Sequence, residues 1–305
     1  MCCLFGLIDT RQQYSAKQKA RMLHALATAA EARGTDAAGF AYNNRTTSEL
    51  IVHKSPIPGH RLRFRVQDDT VTVMGHTRIA TQGDAQRNRN NHPFLGRIGG
   101  ERFAFAHNGM IYNDFELREQ YALPYTKIET DSYVAVQLLE RQKALDFDGL
   151  RFTAEQLDGS FTFTVLDGQD SLYIVKGNNP LYLIRFPKTG LFLYASTQAI
   201  MLHALQTLSL PPQEAVKINM ACGEIVKIDS AGIVTRSSFD DSRLLGWYAP
   251  PSFPRATCPR CRSDGSYVGE LKAVAYAFGY TPEMIDRLIS RGFRPEEIEA
   301  MLYEV

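Results

Sequence analysis

Short apolar runs of strand-like composition, separated by turn signals, fill most of this 305-residue chain and most constrain its fold. Consecutive runs joined by tight turns favour antiparallel pairing. The clearest series is a meander at 160–166, 171–176, 181–186 and 191–195. Other β-like runs lie at 3–8, 39–43, 49–54, 70–76, 103–107, 214–219, 223–228 and 232–236. Helical spacing is found at 16–32, 130–144 and 197–205, so residues 1–240 are predicted to form a sheet-rich α+β domain.

Composition limits the function classes. Lys and Arg total 34 against 33 Asp and Glu, and a net charge of +1 gives no global field for nucleic acid or an anionic membrane. No apolar run is long enough to span a bilayer, and no leader pattern is visible at the start. Five scattered cysteines argue against a disulfide framework. We therefore expect a cytoplasmic protein with reduced thiols.

The composition changes after residue 240. Residues 241–266 are rich in Pro and Ser and predict a linker, and 267–305 predict a small module of three helices. The linker contains Cys258-Pro259-Arg260-Cys261, which is half of a zinc-knuckle pattern. Tetrahedral zinc needs four ligands, so Cys258 and Cys261 are weak metal candidates and no cofactor is predicted.

The chain begins Met1-Cys2. If Met1 is removed, Cys2 carries both a thiol and a free α-amine, whose reference pKa of about 7.7–8.0 suits a general base. One residue would then supply nucleophile and base.

Two polar clusters follow predicted strands. Arg78, in Gly75-His76-Thr77-Arg78, could bind a substrate carboxylate or form an internal ion pair with an acidic residue. Asn108-Gly109 could be a hairpin turn, or could present a side-chain amide and a backbone N–H to an oxyanion. The residues alone leave both pairs of readings open.

Two further clusters also have two interpretations. Glu129-Thr130-Asp131-Ser132 could cap a helix, or Asp131 could bind a substrate ammonium. The segment 33–40, which includes Arg33 and Gly34, could be a helix end and turn, or a loop that shapes the wall around Cys2.

Together these clusters describe a site for a free α-amino acid, and they resemble the class II (N-terminal-nucleophile) glutamine amidotransferases. The motifs that carry the resemblance, in the family's order between residue 2 and about 235, are Cys2-Cys3-Leu4-Phe5-Gly6, Arg33-Gly34-Thr35-Asp36-Ala37-Ala38-Gly39, Gly75-His76-Thr77-Arg78-Ile79-Ala80-Thr81, His92-Pro93-Phe94, His107-Asn108-Gly109, Thr130-Asp131-Ser132 and Asp158-Gly159-Ser160-Phe161. The fold implied is a four-layer αββα sandwich of two antiparallel sheets.

The resemblance also implies roles, which we carry over by position. Cys2 would attack the glutamine side-chain amide, and Asn108 and Gly109 would form the oxyanion hole. The substrate-binding residues would be Arg78, with Thr81 close to it, for the carboxylate, and Asp131 for the ammonium. Supporting residues would be Arg33, Gly34, His76 and His107. Cys3 departs from the family, which most often has Gly after the nucleophile, and it places a second thiol next to Cys2 in the sequence.

The partners implied are L-glutamine and a separate ammonia-accepting synthase, because residues 241–305 are too few for the acceptor domains that such enzymes usually carry. Two alternatives remain at this stage. One is a glutamine-sensing or partner-docking protein without turnover, and the other is an N-terminal-nucleophile amidase for another amide.

Overall fold

The structure is a computed structural model that describes residues 2–246, 267–277 and 281–302. The chain divides into two compact units with a boundary between Leu244 and Leu245. None of the described helices is long and apolar enough to cross a membrane. Cys258 and Cys261 lie outside the described residues, so the weak zinc prediction remains a prediction. Of the predicted linker 241–266, the structure describes only 241–246, which contain a short helix.

The first unit is built on antiparallel strands. Their bounds are β1 (Cys3–Asp9), β2 (Ala37–Asn44), β3 (Glu49–Ser55), β4 (Thr72–Arg78), β5 (Phe94–Ile98), β6 (Glu101–Ile111), β7 (Gly159–Leu166), β8 (Leu172–Lys176), β9 (Tyr182–Phe186), β10 (Leu191–Ala195), β11 (Val216–Ile218), β12 (Glu224–Ile228) and β13 (Val234–Ser238). Sheet A has seven strands in the order β11-β9-β10-β1-β4-β2-β3, and sheet B has six in the order β13-β12-β8-β7-β6-β5.

Helices cover the sheets. Those of residues 2–246 are α1 (Ala16–Ala30), α2 (Asp114–Gln120), α3 (Tyr133–Glu140), α4 (Phe147–Gln156), α5 (Gln198–Leu208) and α6 (Ser242–Gly246). Ser15 and Gln18 begin α1 with a reciprocal capping box, since each side chain accepts a hydrogen bond from the other residue's backbone N–H.

The alternation of side chains along β1 shows how the layers form. Phe5 and Leu7 pack with α1 and α5 in one apolar cluster, whereas Leu4 and Ile8 pack against sheet B in a second cluster. A third cluster joins the other face of sheet B to α3 and α4. These clusters give four layers, helix–sheet–sheet–helix, and confirm the predicted αββα sandwich.

Tertiary pairing overrides one local signal. The predicted strand 103–107 is longer than expected, and Asn108-Gly109 lies inside β6 instead of forming a hairpin turn. The neighbouring strand β7 pairs with β6 along its length, up to Ile111 opposite Gly159, and this pairing continues the strand through the Asn-Gly dipeptide. The hairpin interpretation is therefore wrong.

Some boundaries also differ from prediction. The helix expected at 130–144 is α3, which is eight residues long. It begins after Ser132, so neither of the predicted capping residues, Thr130 and Asp131, is at its N-cap. The short elements β5, α2 and α4 were not expected, since their apolar periodicity is too brief to stand out.

The second unit contains three described helices, α7 (Tyr267–Ala277), α8 (Pro282–Ser290) and α9 (Pro295–Leu302). They share a small core of Leu271, Ala275, Ile285 and Ile298. Met284, which precedes Ile285 in α8, is 44 % exposed.

Candidate functional site

Strand alternation brings the polar motifs of the sequence to one place. In β4, His76 and Arg78 have the same parity as Met74, which faces sheet B. In β6, Asn108 has the same parity as Ala104 and Ala106, which face sheet A. Both motifs therefore face the space between the two sheets.

Cys2 lies at the edge of this space, directly before β1. Cys3 pairs with Thr77, and continuing this register places Cys2 beside Arg78. The Cys2 thiol lies 3.7 Å from the carbonyl oxygen of Ile79, and Nε of Arg33 donates a hydrogen bond of 3.2 Å to the Cys2 carbonyl. Burial raises the pKa of the Cys2 thiol, while the positive charge of Arg78 acts in the opposite direction. A thiol in this setting needs a base to become a thiolate.

The guanidinium of Arg78 is held by neutral oxygens. It donates to Oδ1 of Asn91 (2.7 Å) and to the carbonyls of Gln82 (2.5 Å) and Gly83 (2.9 Å). Arg78 is 3 % exposed, and among the described residues no carboxylate forms an ion pair with it. The internal ion-pair interpretation is therefore wrong, and the cation remains available to an anion from outside.

Asn108 is fully buried, yet neither Nδ2 nor Oδ1 has a hydrogen-bond partner among the described residues. Gly109 follows it with a φ of +143°. A Cβ at Gly109 would lie 1.9 Å from the carbonyl oxygen of Ser160, so only glycine fits there. Because buried amides are almost always paired, the unpaired amide of Asn108 points to a ligand.

Asp131 is buried and does not cap α3, so the capping interpretation is also wrong. Its Oδ2 accepts a hydrogen bond of 2.7 Å from the backbone N–H of Ile111, and its Oδ1 accepts one of 3.3 Å from the hydroxyl of Ser132. Asp131 is close enough to Cys2 and Arg78 to influence both of their pKa values.

Three buried histidines lie behind the polar motifs. Nε2 of His76 lies 2.9 Å from the carbonyl oxygen of His107, to which it donates, and Nδ1 of His107 lies 2.8 Å from the Ser132 hydroxyl. The ring centroids of His76 and His92 are 4.3 Å apart. Burial lowers the pKa of His76 to about 3 and also lowers the pKa values of His92 and His107. The rings of His76 and His107 are neutral and bond to the backbone and to Ser132, which fits a supporting role.

The other two expected residues differ in how they relate to this arrangement. At Gly34 a Cβ would lie 2.4 Å from the carbonyl carbon of Arg78, so glycine lets the Arg33–Asp36 segment approach β4 closely. Thr81 is exposed and makes no side-chain hydrogen bond to another described residue. The structure therefore does not join Thr81 to Arg78.

Two asparagines of the site were not singled out from the sequence. Asn91 holds Arg78, and Asn179 donates a hydrogen bond of 2.9 Å from Nδ2 to the Asn108 carbonyl. Asn179 lies in the turn Asn178-Asn179-Pro180, where turn propensity masks any other role. Asn91 directly precedes the His92-Pro93-Phe94 motif, and this position next to a family motif could have identified it from the sequence.

The arrangement combines a thiol, an unpaired amide, a buried cation and a buried carboxylate. This set can bind a zwitterion and stabilise an oxyanion beside a nucleophile. No group of three or more metal-ligating side chains lies close enough to hold a metal in the described ranges 2–246, 267–277 and 281–302.

Comparison with known proteins gives consistent results. Residues 76–203 match the family model described as a glutamine amidotransferase domain. The glutamine–fructose-6-phosphate aminotransferase of Listeria innocua is 36 % identical over 143 residues, covering 46 % of this chain and 22 % of that protein. The same enzyme of Bacillus licheniformis is 34 % identical over 139 residues, covering 44 % of this chain and 23 % of the relative. This chain therefore spans under a quarter of the length of these relatives.

A solved structure shows the same fold. The glutamine phosphoribosylpyrophosphate amidotransferase from B. subtilis, complexed with ADP and GMP, superposes with a TM-score of 0.60 at 20 % identity. The match covers 78 % of this chain and 49 % of that one.

Proposed function

Because this chain carries a glutamine amidotransferase domain of the class II, N-terminal-nucleophile type, we propose that it hydrolyses the side-chain amide of L-glutamine. Cys2 is the proposed nucleophile, and the ammonia released serves an acceptor on a separate protein. The observation that carries the proposal is the buried, unpaired amide of Asn108 next to Gly109.

The proposed reaction begins with removal of Met1. The α-amine of Cys2 takes the thiol proton, and the sulfur attacks the amide carbon of glutamine. Nδ2 of Asn108 and the N–H of Gly109 stabilise the oxyanion of the tetrahedral intermediate. The α-ammonium of Cys2 then protonates the leaving nitrogen of the substrate amide. Ammonia departs, and a glutamyl thioester of Cys2 remains. Water, deprotonated by the same amine, hydrolyses the thioester to glutamate and regenerates the thiol.

Substrate selection follows from the two buried charges. The proposed partners of the glutamine α-carboxylate and α-ammonium are Arg78 and Asp131, respectively. An amide that lacks either the α-carboxylate or the α-ammonium would leave Arg78 or Asp131 without an opposite charge, which is costly at a buried site. This supports glutamine over other amides.

The acceptor is proposed to be a separate protein. No Gly-rich phosphate loop of the usual spacing occurs in the 305 residues, and this supports the proposal.

The test is release of glutamate and ammonia from L-glutamine, by protein whose mass shows that Met1 has been removed. We expect turnover, and we expect Cys2→Ala to lower kcat by more than about 10⁴-fold, as loss of a nucleophile does. Cys222→Ser is the matched control, because Cys222 is also a half-buried thiol and lies outside the proposed site.

Two outcomes would contradict the proposal. Turnover by Cys2→Ala at the wild-type rate would remove Cys2 as nucleophile. Wild-type protein that binds L-glutamine in calorimetry but releases no ammonia would favour the sensing alternative.

A further inference from the structure

The two charges proposed to bind the substrate zwitterion are carried by different sheets. Arg78 ends β4 of sheet A, whereas Asp131 is tied by Oδ2 to the Ile111 N–H at the end of β6 in sheet B. The carboxylate and ammonium of an α-amino acid share one carbon, so the distance between their partners must be set closely. A contact between the segments that hold the two charges would set this distance.

Glu129 makes such a contact. It lies two residues before Asp131, and it joins the loop of residues 82–91, which supplies all three acceptors of the Arg78 guanidinium. Oε2 of Glu129 accepts a hydrogen bond of 2.9 Å from Nδ2 of Asn90, and the Glu129 backbone N–H donates one of 3.0 Å to Oδ1 of Asn90.

The same carboxylate also binds both arginines of this loop. Oε1 of Glu129 accepts hydrogen bonds from Nη1 of Arg87 and from Nη2 of Arg89, the latter at 3.4 Å. The hydrogen bond from Asn90 lowers the pKa of Glu129, and the charge of Arg87 adds to this effect. The carboxylate is therefore ionised at neutral pH.

Packing brings Glu129 close to the Arg78 cradle itself. A Cβ at Gly83 would lie 3.2 Å from the Cβ of Glu129 and 3.3 Å from Nδ2 of Asn90. Since Gly83 gives its carbonyl to Arg78, one residue separates the Glu129 side chain from the guanidinium. The buried Asn90 amide also donates to the Asp84 carbonyl (3.0 Å), which fixes the loop from inside.

Surface pairs between arginine and glutamate usually contribute little to stability. Glu129 differs because its carboxylate and its backbone are both bound to a buried asparagine. We propose that Glu129 is a positioning residue that joins the Arg78 loop to the Asp131 segment and thereby makes the site selective for substrates with both an α-carboxylate and an α-ammonium. This role rests on the proposed function.

The test compares L-glutamine with glutaramate, which has the same amide and carboxylate but lacks the α-amine. In Glu129→Gln we expect the ratio of kcat/KM for L-glutamine to kcat/KM for glutaramate to fall roughly 10-fold, within the range of coupling in a shared hydrogen-bond network. The change should lie in KM for L-glutamine, with kcat little altered. A merely structural effect would reduce the rates for both substrates equally and leave the ratio unchanged.

Glu224→Gln is the matched control. Glu224 is also a half-exposed carboxylate paired with an arginine, Arg236 (3.0 Å), and it also binds a backbone N–H, that of Ala221 (2.9 Å). We expect it to leave the ratio unchanged. Asn90→Ala should reproduce the effect of Glu129→Gln, and the double variant should lose no more than the larger single loss.

The outcomes separate this inference from the proposed function. Wild-type turnover with an unchanged ratio in Glu129→Gln would overturn the positioning role alone. Wild-type protein that neither hydrolyses nor binds L-glutamine would overturn the proposed function. If wild-type protein binds without turnover, the affinities for L-glutamine and glutaramate in calorimetry replace the kinetic ratio.

Discussion

Two buried polar groups of the sandwich, the Lys19–Asp9 pair and the Asn108 amide, differ in whether they are paired. Under α1, Lys19 and Asp9 form an ion pair of 3.2 Å with both side chains wholly buried. Lys19 also donates to the carbonyls of Asp68 (2.7 Å) and Thr70 (2.6 Å), and Asp9 accepts from two backbone N–H groups. Between the sheets, Asn108 is equally buried but its amide has no partner among the described residues. Complete pairing indicates a structural role, whereas an unpaired donor indicates a place for a ligand.

The largest effect should come from breaking the paired region. Lys19→Met leaves Asp9 as a buried carboxylate without its cation, and we expect a loss of about 3–5 kcal/mol in the free energy of unfolding. Urea denaturation measures this loss, and the kcat of the protein that remains folded should be unchanged. Lys17→Met, at an exposed lysine of the same helix, is the control. A loss no larger than that of Lys17→Met would show that the pair contributes little.

The opposite result is expected at Asn108. Asn108→Leu keeps the branched side-chain shape and the number of heavy atoms and replaces an unpaired amide, so we expect kcat to fall by about 10²–10³-fold, as for loss of an oxyanion-hole donor. The free energy of unfolding should change little, because no hydrogen bond is lost.

Asn43→Leu provides the structural counterpart. Asn43 is a buried asparagine whose Nδ2 donates to the Asp167 carbonyl (2.8 Å) and to Oδ1 of Asp170 (3.0 Å). Its replacement should cost about 1–3 kcal/mol of stability and leave kcat unaltered. Equal losses of stability in Asn43→Leu and Asn108→Leu would remove the distinction between the two kinds of buried amide.

The histidines behind the site give a smaller, pH-dependent effect. A histidine in the unfolded chain binds a proton below pH of about 6.5, whereas burial lowers the pKa of His76 to about 3. The unfolded state therefore binds more protons across this window, and stability falls as the pH drops. We expect a slope of about 1.4 kcal/mol per pH unit from His76, with further contributions in the same direction from His92 and His107.

Urea denaturation between pH 7 and pH 4 measures this slope. In His76→Gln the amide can donate to the His107 carbonyl in place of the imidazole, and the slope should decrease by the contribution of one proton. An unchanged slope in this variant would mean that His76 does not titrate in the unfolding equilibrium.

Strand alternation and apolar periodicity predicted a sheet-rich α+β domain because they are local properties, and the resemblance to the amidotransferase family added the four-layer sandwich. The sequence also pointed to Arg78, Asn108 and Asp131, through motifs in a recognisable order. What it could not predict is which strand or backbone group each of these residues pairs with. Whether Asn108-Gly109 turns or continues as a strand depends on pairing with β7, and Asp131 binds Ile111, twenty residues earlier in the chain. Such long-range contacts leave no signal in the residues themselves.

The smallest effect concerns Cys3, which the sequence places next to Cys2. Strand alternation directs the two side chains to opposite faces, and the Cys3 side chain is fully buried in the cluster under α1. Burial raises the pKa of Cys3, although the charge of Arg33 acts in the opposite direction, and its sulfur lies 3.3 Å from the Leu4 carbonyl. Cys3→Ala should therefore cost about 1 kcal/mol of stability through lost packing and leave kcat unchanged. Iodoacetamide, mapped by peptide mass spectrometry on protein without Met1, should modify Cys2 and spare Cys3. Comparable modification of both thiols would show that β1 opens on the timescale of labelling, so that burial does not protect Cys3.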